Sequence, residues 1–207
     1  MKSVVILIGP MSAGKSTLAG MLAKKLGVPR IELDEVRQRY YGEIGYSERY
    51  ASEIVGREGM QGLIDYWKPF EAHAVERVLG TYRNCVIDFG AVHSVYEDDA
   101  LFQRVHKALQ PFKYVIQILP SPDLDRSVEI VNQRFSEMLI NEVGKTDPDL
   151  LALNEYFVRH PSNSLLAKKT FYTEDRPAKK TCQAILEWIK DQGGFGKSIN
   201  YSQLSLF

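Results

Sequence analysis

The segment Gly9–Thr17 constrains the fold of this chain more than any other part of its 207 residues. Its sequence, GPMSAGKST, matches the pattern G-x-x-x-x-G-K-[ST] without a gap. The apolar run Val4–Ile8 precedes it directly, and apolar residues follow it at helical spacing, at Leu18, Leu22 and Leu26. This order predicts a buried strand, a glycine-rich turn and an amphipathic helix, which together begin an α/β unit.

The turn has the composition of a phosphate cradle. Its glycines let successive backbone N–H groups converge on phosphate oxygens, and the following helix presents its positive end there. In this pattern the lysine, here Lys15, reaches the β- and γ-phosphates, and the next hydroxyl, here Ser16, ligates Mg²⁺. We therefore predict ATP and Mg²⁺ as cofactors and Lys15 as a catalytic residue. The predicted cradle consists of Gly9, Pro10, Met11, Ser12, Ala13, Gly14, Lys15, Ser16 and Thr17.

Five short apolar runs alternate with helical patterns along the chain, which is typical of a parallel sheet covered by helices on both faces. We predict the α/β class, as a three-layer sandwich with a central parallel five-stranded sheet. In this interpretation residues 1–192 form one domain, about residues 36–80 a helical acceptor-binding insertion, and residues 193–207 a loosely packed C-terminal tail. The predicted strands are Val4–Ile8, Arg30–Leu33, Cys85–Ile87, Tyr114–Leu119 and Thr170–Tyr172.

Charge and composition disfavour several classes of function. The chain has 26 lysine plus arginine and 26 aspartate plus glutamate residues, so no net field attracts a polyanion such as nucleic acid. Cys85 and Cys182 lack the spacing of a zinc or redox motif. Because the run Val4–Ile8 is too short to span a membrane, we expect a cytoplasmic protein without a membrane partner.

Two aspartates follow predicted strands, at the edge where an open α/β sheet binds its ligands. Asp88 fits a residue that holds Mg²⁺ directly or through water, and Gly90 would let a ligand approach the backbone. Asp34 and Arg37 share a helix face, so the carboxylate could accept a proton from an acceptor hydroxyl while the guanidinium binds a negative group. The alternatives are structural, with Asp88 as a turn cap and Asp34 as a helix N-cap beside a solvated arginine.

The cradle, its helix and the strand before Asp34 resemble the shikimate kinase and nucleoside-monophosphate kinase group of P-loop kinases. A run similar to Gly9–Thr17, Gly-x-Met-x-Ala-Gly-Lys-Ser-Thr, occurs in shikimate kinases. There an aspartate just after the second strand binds the acceptor hydroxyl, which implies this role for Asp34. The spacing Asp34-x-x-Arg37 is also similar to polynucleotide 5′-kinases, in which the two positions act as base and substrate clamp. The segment Asp88-Phe89-Gly90 resembles the third-strand motif of adenylate kinases.

The same resemblance implies a lid and a second clamp within about residues 126–160. In these kinases the helix after the fourth strand leads to a lid whose arginines close over the phosphates, and Arg126 and Arg134 are the candidates here. Arg134 falls nearer the expected lid entry, so we predict that it is catalytic. Arg159, in the run Arg159-His160-Pro161, resembles an arginine with which shikimate kinases bind the carboxylate of their substrate.

The sequence also departs from shikimate kinases where the acceptor binds. Phe89-Gly90-Ala91 stands in place of their triple glycine, Glu32 stands where many have an aspartate, and Lys68 lies near the position of an anion-binding arginine. We therefore expect an ATP-dependent kinase that phosphorylates a hydroxyl, or a phosphate, of a small molecule, and we do not assign shikimate. The alternatives are a nucleotide-binding switch or ATPase without an acceptor, and a nucleoside or polynucleotide 5′-kinase.

Overall fold

Five strands form one sheet in the order β2-β3-β1-β4-β5, in a computed structural model that describes residues 3–196. Each pair of neighbouring strands is parallel, from Arg30 beside Val86 at one edge to Leu119 beside Tyr172 at the other. The predicted fold class is therefore confirmed. The strands are β1 (Val4–Ile8), β2 (Arg30–Glu32), β3 (Cys85–Asp88), β4 (Tyr114–Leu119) and β5 (Lys169–Tyr172).

Helices cover both faces of the sheet, because its central strands are apolar on both sides. The helices are α1 (Lys15–Leu26), α2 (Leu33–Tyr41), α3 (Glu48–Thr81), α4 (Asp99–Leu109), α5 (Leu124–Val143), α6 (Pro148–Arg159), α7 (Ser162–Leu166) and α8 (Ala178–Asp191), with short 3-10 turns at Gly42–Ile44 and Ala91–Ser94. Val5 and Leu7 of β1 pack in one core with α1 and α8, whereas Ile6 and Ile8 pack in the other core with α2, α3 and α4. The loop after β1 therefore lies at the carboxyl edge of the middle strand, between the two helical layers.

The backbone of this loop requires glycine at two positions. Gly9 has a φ of 137°, and a Cβ atom there would lie 2.5 Å from the carbonyl oxygen of Ile118 on β4. Gly14 has a φ of 95° at the N-cap of α1. Because residues with a Cβ rarely adopt such angles, both glycines of the motif are needed to turn the chain from β1 into α1.

The predicted helical insertion consists of α2, a 3-10 turn and the long helix α3, which is interrupted at Gly59 with a φ of 69°. Its aromatic rings pack on one another. The centroids of Tyr41, Tyr46, Tyr66 and Phe70 lie 5.0 to 5.7 Å apart in five pairs. This aromatic cluster stabilises the joint between α2 and α3. The assignment of the insertion to acceptor binding stays a prediction.

The first residues of the predicted tail are packed, and the expectation of a loose tail is wrong for them. Phe195 is 2% exposed and its ring lies beside that of Tyr114 in the core. The Tyr114 hydroxyl donates a hydrogen bond of 2.7 Å to the carbonyl of Gly194. Burial of an aromatic ring holds this segment against β4. Residues 197–207 of the predicted tail lie outside the described residues.

Within residues 3–196, no helix combines the length and the apolar character needed to cross a membrane.

Candidate active site

Lys15 is the buried cation of the phosphate loop. Its Nζ donates a hydrogen bond of 2.7 Å to the carbonyl of Pro10 in the same loop. Burial lowers the pKa of Lys15, while the negative charges of Asp88 and Asp34 oppose this shift. The ammonium group is therefore held over the loop, where a phosphate oxygen could replace the carbonyl as its partner.

Beside the loop lies an open cleft with an empty volume of about 680 Å³, which we call the central cleft. The phosphate loop, the carboxyl ends of β2 and β3, and one side of α5 form its walls. The lining residues are Met11, Ser12, Lys15, Ser16, Glu32, Asp34, Asp88, Phe89, Gly90, Ala91, Phe135 and Met138. The structure thus brings Lys15, Ser16, Asp34, Asp88 and Gly90 to one cleft.

Asp34, the second residue of α2, presents an exposed carboxylate to the central cleft. A Cβ atom at Gly90 would lie 2.4 Å from both of its carboxylate oxygens, so only a glycine permits this approach. The nearest charged group is the guanidinium of Arg37, with 3.7 Å from Nη1 to Oδ1. Nδ1 of the buried His93 lies 3.9 Å from the same oxygen. At these distances the carboxylate makes no tight ion pair, so it can receive a ligand.

Asp88, the last residue of β3, is buried beside an arginine. Nη2 of Arg30 lies 2.8 Å from Oδ2 of Asp88 and 2.9 Å from Oε2 of Glu32. Among the described residues there is no group of three or more histidine, cysteine, aspartate or glutamate side chains that could hold a metal. A cation in this cleft would therefore need other oxygen ligands, such as the Ser16 hydroxyl and phosphate oxygens.

A second cleft, with an empty volume of about 450 Å³, lies on the other side of the loop, and we call it the outer cleft. Arg134 of α5 lines this cleft and not the central one, together with Arg176 from the segment after β5. The remaining lining residues are Ala13, Gly14, Thr17, Leu18, Thr173, Ala178 and Thr181. Two arginines and the start of α1 therefore face the outer cleft, which suits a phosphate-bearing ligand.

Arg37 and Arg159, the two predicted anion clamps, have other partners. The Arg37 guanidinium lies 5.4 Å from the ring of Trp67 and 5.9 Å from the ring of Tyr41. Arg159 ends α6 and lies 2.7 Å from both Asp125 and Glu155. The structure does not bring Arg159 to the central cleft, because these two surface carboxylates hold its guanidinium. The carboxylate-binding role that the resemblance implied for Arg159 stays a prediction.

Asn154 of α6 contacts the phosphate loop, and no sequence motif indicated it. It is buried, and its Oδ1 accepts a hydrogen bond of 2.8 Å from the backbone N–H of Met11 in the phosphate loop. Its Nδ2 donates to the Met11 carbonyl at 3.4 Å and to Oδ1 of Asn132 at 3.1 Å. The sequence contains one indication of this role, an amide within the largely apolar stretch LLALNEYF. A polar side chain that is buried in such a stretch needs hydrogen-bond partners.

Lys68 and Glu71 form a buried ion pair on α3 that the sequence analysis also missed. Nζ of Lys68 donates to the carbonyls of Val95 at 2.7 Å and Val92 at 3.3 Å, and lies 3.5 Å from Oε2 of Glu71. Burial raises the pKa of Glu71 to about 7, against the opposing charge of Lys68. Burial also lowers the pKa of His93 to about 3, so this ring is neutral. The hydrogen bonds of Lys68 therefore hold in place the segment that follows Gly90. Gly90 itself lies against Asp34.

The model of the AAA_33 family, described as an AAA domain, matches residues 4–129. The matched region contains the phosphate loop, Asp34 and Asp88. No curated protein matches the chain.

The solved structures with a similar fold include two shikimate kinases and a gluconokinase. A shikimate kinase from Acinetobacter baumannii in complex with shikimate is 21% identical, with a TM-score of 0.62, and the match covers 91% of this chain and 93% of that one. A shikimate kinase from Bacteroides thetaiotaomicron is 19% identical, with a TM-score of 0.56 and coverage of 90% and 98%. A gluconokinase from Sinorhizobium meliloti 1021 is 14% identical, with a TM-score of 0.52 and coverage of 92% and 93%. At these identities the matches establish a shared fold.

Proposed function

This chain belongs to the AAA_33 family of AAA domains and has a P-loop kinase fold, and we propose that it transfers the γ-phosphoryl group of ATP to a hydroxyl group of a small molecule. One observation carries the proposal: Asp34 and Lys15 line the same cleft. A lysine that binds the phosphates is useful in any nucleotide-binding protein. An exposed carboxylate in the same cleft can in addition bind the hydroxyl of an acceptor. The shared cleft therefore favours a kinase over a nucleotide-binding switch.

In this proposal the loop and Lys15 bind and orient the β- and γ-phosphates. The acceptor hydroxyl lies against Asp34, which takes the proton as the acceptor oxygen attacks the γ-phosphorus. A bond forms between these two atoms, the bond to the β–γ bridging oxygen breaks, and ADP leaves. Phe135 and Met138 of α5 line the central cleft, so α5, within the predicted lid, would exclude water from it.

The side chains of the central cleft fit a magnesium ion. Mg²⁺ prefers hard oxygen ligands, and the Ser16 hydroxyl and the Asp88 carboxylate are of this type. Ser16 would ligate the ion directly, and Asp88 would do so directly or through water. The bound ion would supply charge neutralisation on the phosphates.

Purified protein with ATP and Mg²⁺ should phosphorylate a member of a pooled set of sugars, cyclitols, nucleosides and 5′-hydroxyl oligonucleotides, with the product identified by mass spectrometry. With that acceptor, Asp34→Asn should lower transfer by about a hundredfold to ten-thousandfold, the usual contribution of a general base. ATP affinity should change little, because Lys15 and the loop remain. Glu35→Gln, which removes the neighbouring exposed carboxylate, is the matched control and should keep the wild-type rate.

Lys15→Ala should abolish both transfer and tight ATP binding, since the charge on the phosphates is lost. If the protein hydrolyses ATP without an acceptor, and Asp34→Asn leaves the rate of hydrolysis unaltered, the chain would instead be a nucleotide-binding switch. Phosphorylation confined to the oligonucleotides would identify a 5′-kinase.

A further inference from the structure

The central cleft is lined by three carboxylates and one cation. Among its described lining residues the charged side chains are those of Lys15, Glu32, Asp34 and Asp88. Nζ of Lys15 is bound to the loop carbonyl of Pro10 and, in the proposed function, serves the phosphates of ATP. No cation of the described lining therefore remains for an acidic group on the acceptor.

The arginine nearest to these carboxylates is already paired. Nη2 of Arg30 lies 2.8 Å from Asp88 and 2.9 Å from Glu32, so one guanidinium is shared between two carboxylates. The pairing leaves an excess of negative charge on this side of the cleft.

Three cations that the sequence suggested as anion ligands, those of Arg37, Lys68 and Arg159, already have other partners in the structure. The Arg37 side chain is 22% exposed, lies over the rings of Trp67 and Tyr41, and faces Asp34. Nζ of Lys68 is buried against two backbone carbonyls and Glu71. The guanidinium of Arg159 is bound by two surface carboxylates. Moving any of them to an acceptor would break the contacts that now satisfy its charge.

The carboxylates themselves are open to a ligand. The Glu32 side chain is 38% exposed and that of Asp34 is 57% exposed, and both line the cleft. An acceptor carboxylate or phosphate would meet these like charges, and the nearby guanidinium groups of Arg30 and Arg37 already face carboxylates, which opposes its binding. Phe135 and Met138 of α5 also line the cleft, and they offer an apolar surface that suits the hydrocarbon face of a ring or chain.

We propose that the acceptor is a polyol that carries no acidic group, and that a basic substituent improves its binding through Glu32. The inference rests on the proposed function and specifies its substrate class. It differs from the carboxylate recognition that the resemblance implied for Arg159. Uncharged and amine-bearing hydroxyl compounds are the matching chemistry, with the reacting hydroxyl at Asp34 and the amine at Glu32.

The test compares matched acceptors with the full chain, ATP and Mg²⁺. One trio is glucose, glucosamine and gluconate, and a second is inositol, an aminocyclitol and quinate, with kcat/KM measured for each compound. Within a trio we expect the acid to be at least about tenfold poorer than the uncharged member, and the amine to be at least as good as the uncharged member. An acid as the preferred member of a trio would overturn the inference and leave the kinase function standing. If protein that binds ATP phosphorylates no compound of either trio, the result would count against both the inference and the proposed kinase function.

Glu32→Gln separates a specific charge effect from a general loss of activity. It removes the carboxylate that the proposal pairs with the amine, so the ratio of kcat/KM between the amine and the uncharged member should fall about tenfold. The same change should raise transfer to the acid relative to the uncharged member. Glu35→Gln, an exposed carboxylate that does not line the cleft, should leave both ratios unchanged. Ratios that Glu32→Gln leaves at wild-type values would overturn the role of Glu32.

Discussion

The carboxylate of Asp34 lies directly over the backbone of Gly90, so closely that a Cβ atom at Gly90 would be 2.4 Å from both carboxylate oxygens. The contact joins the start of α2 to the segment after β3. This close contact explains the glycine at position 90. Gly90 has an ordinary φ of −59°, so glycine is needed there for its missing side chain and not for an unusual backbone angle. The absence of a side chain at one residue thus decides where the carboxylate of the other lies.

Gly90→Ala should displace this carboxylate and leave the fold intact. The clashing atoms are the end of an exposed side chain, so Asp34 moves while the backbone stays in place. A misplacement of about 1 Å at a reacting group can cost about a hundredfold in rate, and we expect a loss of that order in acceptor phosphorylation. ATP affinity and thermal stability should stay close to wild type. Gly80→Ala, where an added Cβ meets nothing within 4 Å, is the matched control. Wild-type transfer by Gly90→Ala would show that the position of Asp34 is unimportant.

Asn154→Ala should weaken both the fold and nucleotide binding. It leaves the half-buried N–H of Met11 without its partner, which costs about 1–3 kcal/mol of unfolding free energy. Because Met11 belongs to the phosphate loop, the Kd for ATP should rise as well, measured by calorimetry below the melting temperature. Gln133→Ala, at an exposed position of α5, is the control for loss of an amide. If stability falls while the Kd of the folded fraction is unchanged, Asn154 has no part in shaping the loop.

Asp88→Asn should impair the use of magnesium more than the binding of nucleotide. The amide keeps the shape of the side chain and removes its charge. We expect the Mg²⁺ concentration for half-maximal activity to rise about tenfold or more, as for other residues that orient a metal site. The affinity for ATP in the presence of a chelator should change little and serves as the internal control. A wild-type magnesium titration would restrict Asp88 to its structural pairing with Arg30.

Arg134→Ala should raise the KM for ATP more than it lowers kcat. Arg134 lines the outer cleft with Gly14 and Thr17, so it would contact the bound nucleotide rather than the acceptor. Arg126→Ala is the matched control on the same helix, since Arg126 is exposed and paired with Glu129 and Glu174. A fall in kcat at constant KM would support the lid role that the sequence analysis assigned to Arg134.

Glu71→Gln should change how stability depends on pH. Burial raises the pKa of Glu71 to about 7 in the folded protein, and an unfolded glutamate titrates near about 4.3. At a pH between these two pKa values, the folded state binds more protons than the unfolded state. Ionisation of Glu71 therefore lowers the free energy of unfolding increasingly as the pH rises towards about 7. Glutamine does not ionise, and the variant should therefore gain stability relative to wild type across this window.

Urea unfolding of wild type and Glu71→Gln at several pH values between about 4 and 8 would measure this difference. Glu53→Gln, an exposed residue of α3 paired with Arg49, should show little pH-dependent difference from wild type. A difference between wild type and Glu71→Gln that is constant with pH would mean that Glu71 does not titrate in this range.

The strands and the phosphate loop were predictable because their signals are local. The apolar runs gave all five strands to within about one residue, and the glycines of the loop are required by its own backbone. The positions of Asp34 and Asp88 were predictable for the same reason, since each follows a strand whose carboxyl end must lie at the ligand-binding edge. The arginines were harder to assign. Arg37 and Arg159 are long side chains with several possible partners, and the sequence does not specify which partner is nearest.

The sequence by itself determined the parallel sheet, the phosphate loop and the presence of two aspartates at the edge of the sheet. Only the tertiary structure decided that Arg30 pairs with Asp88, that Arg159 faces the surface and that Lys68 is buried against Glu71. The physical reason is the range of the interactions. A turn or an apolar run acts over a few residues, whereas Asn154 reaches Met11 across 143 positions of the chain, through contacts that exist only once the helices have packed on the sheet.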